Sequence, residues 1–210
     1  MKRIEEHQEE TITDSRSARE YLDSVLKKEK MYGHLIRQIR SLNVKGNYLE
    51  LGSGPCVLTS GIAESIPDIH ITAVDISPHM TEIAREYIKG RHLEDKITAM
   101  TGDPADEKML GKLGTFNLVY STYSMHHWKE TEKIMNHMYH IVNNEGILAI
   151  ADLKRIWWLY YMPVRNNWFF SSIRASYTLN EVKSILKNIH IDQYKIKNIF
   201  PLSRFIVIYK

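Results

Sequence analysis

The chain has 210 residues, 43% of them hydrophobic and 25% charged, with a net charge of +3. That balance excludes a disordered or fibrous chain and allows a sizeable buried core. Its single cysteine, Cys56, excludes a disulfide framework and a cysteine-rich zinc site, and it suits a reducing, cytoplasmic setting.

The opening MKRIEEHQEE has no apolar stretch behind its basic residues, so neither a secretory signal nor a transit peptide is expected. Residues 17–39 place Ala18, Tyr21, Leu22, Val25, Leu26, Tyr32, Leu35, Ile36 and Ile39 at helical spacing. Ser17 with Glu20 predicts a capping box at the start, and Gly33 predicts a break. Short apolar runs then alternate with helical patterns. Strands are expected at 47–51, 70–75, 96–101, 116–121 and 146–151, with helices at 57–65, 78–89, 105–111 and 131–142. This alternation predicts βαβ units, hence a doubly wound α/β sheet with helices on both faces.

The final 60 residues break the rhythm. Residues 157–170 hold seven aromatic side chains, including three of the four tryptophans. A helix follows at Thr178, with Glu181 as its capping partner, and two strands are expected at 191–197 and 205–209, making seven in all. The apolar run Ile156 to Val164 contains Pro163 and is far shorter than the roughly 20 residues of a spanning helix. Charge is uneven too. Residues 1–150 carry 18 Lys+Arg against 22 Asp+Glu, whereas residues 151–210 carry 10 against 3. A basic final third suits an anionic substrate, a lipid surface or nucleic acid, and equally a solvated lysine face.

The first strand ends in Glu50, Leu51, Gly52, Ser53, Gly54, Pro55 and Cys56, directly before a helix. Glycines there let the backbone approach a ligand. A dinucleotide fingerprint needs a third glycine where this chain has Val57, and no Gly-Lys-Ser/Thr P-loop occurs. Glu50 disfavours a pyrophosphate but suits a ligand with ammonium and sulfonium charges. The second strand ends in Asp75, placed to accept ribose hydroxyls, and Gly102-Asp103-Pro104 follows the third. Either aspartate could instead cap the helix after it.

The order ELGSGP, AVDIS, TGD, FNLVYSTYSMHHW resembles the class I S-adenosylmethionine-dependent methyltransferases over residues 46–210. The resemblance implies a Rossmann-like sheet of order 3-2-1-4-5-7-6 with strand seven antiparallel. It also implies one domain: helical cap 1–45, cofactor-binding core 46–151, substrate-cover insert 152–177, and closing helix and strands 178–210. Carried over by position, Gly52, Ser53 and Gly54 hold the methionine moiety, Asp75 the ribose, Ile76 the adenine face and Asp103 the adenine amino group. Glu50, Met80, Pro104 and Ser121 complete the expected cofactor set. Cys56 stands where the family often has a third glycine, and Pro104 lacks a backbone donor.

Methyl transfer is an in-line displacement, so alignment matters most and a base is needed only for a protonated nucleophile. Tyr123, His126, His127 and Asp152 are the catalytic candidates; alternatively, the stretch 125–128 merely packs the loop. His137 and His140 share a helical face without a third ligand, so no metal site is expected. Tyr32, Arg155, Trp168, Arg174 and Tyr177 are candidate substrate contacts, with Arg165 also in the basic aromatic insert. That insert could equally form a packed hairpin, a dimer contact or a membrane contact. The residues after strand four, Ser121 to Ser124, lack the Asn/Asp-Pro-Pro-aromatic tetrad of base-amine methylation. The expectation is therefore methylation of a small molecule, hydrophobic or anionic, yielding S-adenosylhomocysteine, by a monomer or homodimer. Nucleic acid is disfavoured. The competing reading is a catalytically silent binding module.

Overall fold

Alternation along the strands decides which helices cover which face of the sheet. In β1 (Gly46–Leu51), Tyr48 turns to one face and Leu49 and Leu51 to the other. The same division runs through β2 (Ile69–Asp75), β4 (Phe116–Thr122), β5 (Val142–Leu153) and β7 (Ser203–Tyr209). Strands buried on both faces read as continuous apolar runs, which is what the sequence shows. The computed structural model describes residues 1–4, 12, 14–164, 167–199 and 201–210. Among them seven strands form one sheet of order β3-β2-β1-β4-β5-β7-β6, where β3 is Ile97–Thr101 and β6 is Tyr194–Ile199. β7 runs antiparallel to both β5 and β6, and the other pairings are parallel. Fold class and strand order agree with the expectation.

On the Tyr48 face pack α2 (Gly33–Ser41), α3 (Val57–Ser65) and α4 (Pro78–Gly90), through Leu35, Ile39, Ile62, Ala84 and Ile88. On the opposite face lie α5 (Glu107–Lys112), α6 (Thr131–His140) and α9 (Leu179–Asn188), through Leu110, Met135, Met138, Val182 and Leu186. α1 (Ser15–Leu26) lies against α4, where Ala18, Met80 and Ile83 form a small third cluster. Between β5 and α9 run two short helices, α7 (Trp157–Tyr160) and α8 (Trp168–Ala175).

Local signals fare unequally. Thr178 and Glu181 form the expected capping box at α9. Ser17 does not cap α1: Asp14 does, accepting the Ser17 N–H at 2.9 Å, and Glu20 instead pairs with Arg16. The break near Gly33 is real, since a 3-10 turn at Glu29–Tyr32 precedes α2. β6 begins three residues later than expected, at Tyr194. No helix among the described residues is long and apolar enough to cross a membrane.

Candidate functional site

The strand order reverses at β1, which has β2 on one side and β4 on the other. In open α/β sheets the crevice at the carboxyl ends of such strands is where ligands bind. Here the turn after β1 and the ends of β2, β4 and β5 meet.

The turn is held from below. Gly52 and Ser53 both donate their N–H groups to the Val74 carbonyl, at 2.8 and 3.1 Å. Gly52 has a φ of +75°, and a Cβ there would come within 2.1 Å of Ser124 Oγ. Gly54 and Cys56 also have positive φ. Glycine meets that requirement without strain, whereas Cys56 meets it as an L residue. Its thiol is buried, which pushes its pKa up to about 12, so it is no nucleophile.

Asp75 closes the turn from β2. Its Oδ2 accepts the Gly54 N–H at 2.8 Å and its Oδ1 the Ser77 N–H at 2.9 Å. Ser77, not Asp75, caps α4, so the capping alternative is overturned for this residue. A carboxylate offers about four acceptor positions, so two such bonds leave capacity for a ligand diol. Burial raises the Asp75 pKa, while the Ser77 and Gly54 N–H groups and the nearby His127 work against the rise. Beside it, Ile76 is an exposed apolar side chain. Asp103 is exposed after β3; its Oδ1 accepts the Ala105 N–H, and Asp106, not Asp103, caps α5. Pro104 is buried.

Three expected cofactor contacts lie elsewhere. Met80 is buried against α1 in the third cluster. Ser121 donates to the Leu51 carbonyl at 2.7 Å and so ties β4 to β1. Glu50 is 1% exposed and faces α3, where Thr59, Thr122 and Tyr120 donate to it at 2.6, 2.9 and 3.0 Å. Desolvation outweighs those three donors and raises its pKa to about 7. Glu50 is therefore part of the floor beneath the turn and not an exposed contact.

The catalytic candidates split into two groups. Asp152, at the end of β5, accepts the His126 backbone N–H at 2.8 Å and the His126 Nδ1 at 2.6 Å. With a carboxylate at Nδ1, the proton belongs on that nitrogen and Nε2 is the basic position. The pair is buried. His127 is exposed, with its ring centroid 4.1 Å from that of His126. Tyr123, at a φ of +52°, bonds Ser203 through its hydroxyl at 3.1 Å and tilts against Tyr32. Burial raises the pKa of Tyr123, so it remains a phenol at neutral pH.

The expected substrate contacts are mostly engaged elsewhere. Arg155 is buried and paired with Glu181, so it does not line a surface. Arg174 donates to the carbonyls of Tyr160, Met162 and Val164. Trp168 points outward under Lys28, whose Nζ lies 4.4 Å from its ring centroid. Tyr177 bonds Thr131 at 2.7 Å and lies beneath the Arg3 guanidinium. Only Tyr32 sits beside the crevice, against Tyr123; Arg165 lies outside the described residues. His137 is buried, near Glu107.

Sequence reasoning missed Tyr21, which approaches Gly54 from α1, and Arg3. Arg3 donates to the carbonyls of Ala175, His126 and Trp128, joining α8 to the loop after β4. Tyr21 was readable only as a helix-face residue, and nothing around Arg3 marks its role.

The sequence pattern of a methyltransferase domain matches residues 49–148. Over 139 residues the chain is 25% identical to a malonyl-[acyl-carrier protein] O-methyltransferase of Acetivibrio thermocellus, covering 65% of this chain and 46% of that protein. Over 114 residues it is 27% identical to 2-methyl-6-phytyl-1,4-hydroquinone methyltransferase 2, chloroplastic, of Oryza sativa subsp. japonica, covering 53% of this chain and 30% of that one. The matched stretch thus spans less than half the length of either curated relative. The structure of a SAM dependent methyltransferase from Aquifex aeolicus superposes with a TM-score of 0.71 at 15% identity, covering 93% of this chain and 98% of that one. The chain has the Rossmann-like fold of the class I methyltransferases, and its residues 49–148 match a methyltransferase domain. The cofactor of that family is S-adenosylmethionine, and the residues fit it. A glycine turn that a Cβ would block, a carboxylate with acceptor capacity for a ribose diol, and an exposed isoleucine beside it are the features it requires.

Proposed function

We propose that this methyltransferase transfers the methyl group of S-adenosylmethionine to a small-molecule acceptor. The observation that carries the proposal is Asp75, fixed by two backbone N–H groups beside the Gly52–Gly54 turn at the switch point of the sheet. When bound, S-adenosylmethionine supplies an electrophilic methyl group and leaves as S-adenosylhomocysteine. Asp75 would hold the ribose hydroxyls, Ile76 would cover one face of the adenine and Asp103 would accept from its amino group. Gly52, Ser53 and Gly54 would pass beneath the methionine moiety.

For an acceptor that arrives protonated, His127 is the group to take the proton. It is exposed and lies close enough to Asp75 to influence that carboxylate. His126 and Asp152 hold the loop behind it. The two curated relatives are methyltransferases of a carrier-protein malonyl group and of a hydroquinone, which supports a small-molecule acceptor. Tyr32 and Tyr123 form an aromatic wall suited to a flat acceptor.

Calorimetry tests the cofactor site directly. Asp75→Ala is expected to weaken S-adenosylmethionine and S-adenosylhomocysteine by roughly 1.5 to 3 kcal/mol, the range for hydrogen bonds to a charged group. Unchanged affinity in a folded variant would refute the ribose assignment. His127→Gln is expected to flatten the pH profile of kcat/KM on an acceptor found by screening, and an unaltered profile would remove His127 as the base.

A further inference from the structure

Large apolar side chains gather on one outer face of the molecule. Trp157, Trp158 and Tyr161 on and after α7 are 68%, 52% and 67% exposed, and Trp168 on α8, which packs against α7, is exposed too. The two helices pack together and are firmly backed. Arg174 ties α8 to the carbonyls of Tyr160, Met162 and Val164, and Leu159 and Ile173 anchor the inner side. The Tyr160 hydroxyl donates to the Lys2 carbonyl at 3.0 Å, which brings the described N-terminal residues to the same face. Lys28, from the end of α1, covers Trp168.

Exposed tryptophans on a rigid platform mark an interaction surface, because a monomer in water gains nothing from presenting them. The charge says which partner. From Asp152 to Glu181 the chain has no acidic residue between, and of the basic residues in that interval Arg174 lies behind this face, whereas Arg155 is buried against Glu181. Lys28, over the Trp168 ring, and Lys2, whose carbonyl meets the Tyr160 hydroxyl, add basic residues at the face itself. A second copy docked here by two-fold symmetry would oppose like charges. An anionic lipid surface instead complements both features, since tryptophan and tyrosine rings sit at headgroup level and lysines are drawn to anionic headgroups.

We infer that the Trp157–Trp168 face is a peripheral anchor that docks the enzyme onto an anionic lipid surface. The docked chain lies on the bilayer with the aromatic rings at the interface and does not cross it.

Flotation of the full chain with vesicles tests this, using phosphatidylcholine alone and phosphatidylcholine mixed with phosphatidylglycerol. The chain is expected to float with the anionic vesicles, to be released by high salt, and to show a blue shift in tryptophan emission. A Trp157→Ser, Trp158→Ser double variant is expected to lose roughly tenfold or more in partitioning, in keeping with removal of two buried aromatic contacts. Both positions are exposed, and an unchanged unfolding midpoint would establish that the variant folds. The inference is overturned if the chain stays with solvent at low salt or if the double variant partitions as the parent does. It is also overturned if the parent is a dimer that the double substitution splits, which would place a second copy on this face. None of these readouts depends on methyl transfer, so failure here leaves the proposed activity standing.

Discussion

At Gly52 two constraints coincide. Its φ of +75° is disfavoured for any residue with a Cβ, and that Cβ would collide with Ser124, 72 residues along the chain. Left-handed strain contributes ~1 to 2 kcal/mol and forced overlap another ~1 to 3 kcal/mol. Gly52→Ala is therefore expected to lower stability by ~2 to 5 kcal/mol in denaturant unfolding and to abolish cofactor binding; a parent-like midpoint would mean that Ser124 steps aside at no cost. The glycines themselves were legible from their place between a strand and a helix. Ser124 was not, because its approach depends on β4 lying beside β1. Glu50 illustrates the same divide. Its position beside the turn was readable, but its three hydroxyl partners come from α3 and β4, and only the assembled sheet brings them to one carboxylate.

Among elements, the two capping boxes show why local patterns mislead. Thr178-x-x-Glu181 and Ser17-x-x-Glu20 are alike on paper, yet only the first forms. Glu181 is also drawn in by Arg155, whereas Asp14 supplies a competing cap ahead of Ser17. Tertiary partners thus select among signals of equal local strength. The aromatic segment after β5 was legible as composition but not as direction, since period and content do not say which rings turn outward. Arg3 was illegible for a related reason: its partners are backbone carbonyls, which carry no residue signature. Arg3→Ala removes charge-assisted bonds to three carbonyls and the stack on Tyr177. A loss of ~1.5 to 3 kcal/mol in stability is expected, with faster amide hydrogen exchange at 126–128. Exchange unchanged at those amides would show that the loop holds without the arginine.

For the whole molecule, strand alternation was enough to predict a doubly wound sheet, and the family resemblance supplied the strand order that periodicity cannot. The fold in turn places Glu50 beneath the ligand turn, where burial lifts its pKa to about 7. The folded state holds this proton more tightly than the unfolded chain does. The contribution of this one group to stability is therefore greatest at low pH and falls, by up to ~3 kcal/mol, as pH rises from the ordinary glutamate range toward 7. A Glu50→Gln variant should lose that slope and gain on the parent above pH 7 in thermal unfolding. Ligand binding has the opposite sign. A cation held above Glu50 favours the ionised carboxylate, so affinity for S-adenosylmethionine should rise through pH 7, by at most about tenfold per pH unit. S-adenosylhomocysteine lacks the sulfonium charge and should respond less. Titrations of both ligands at several pH values would check this, and identical slopes for the two would show that the Glu50 charge does not reach the sulfur position.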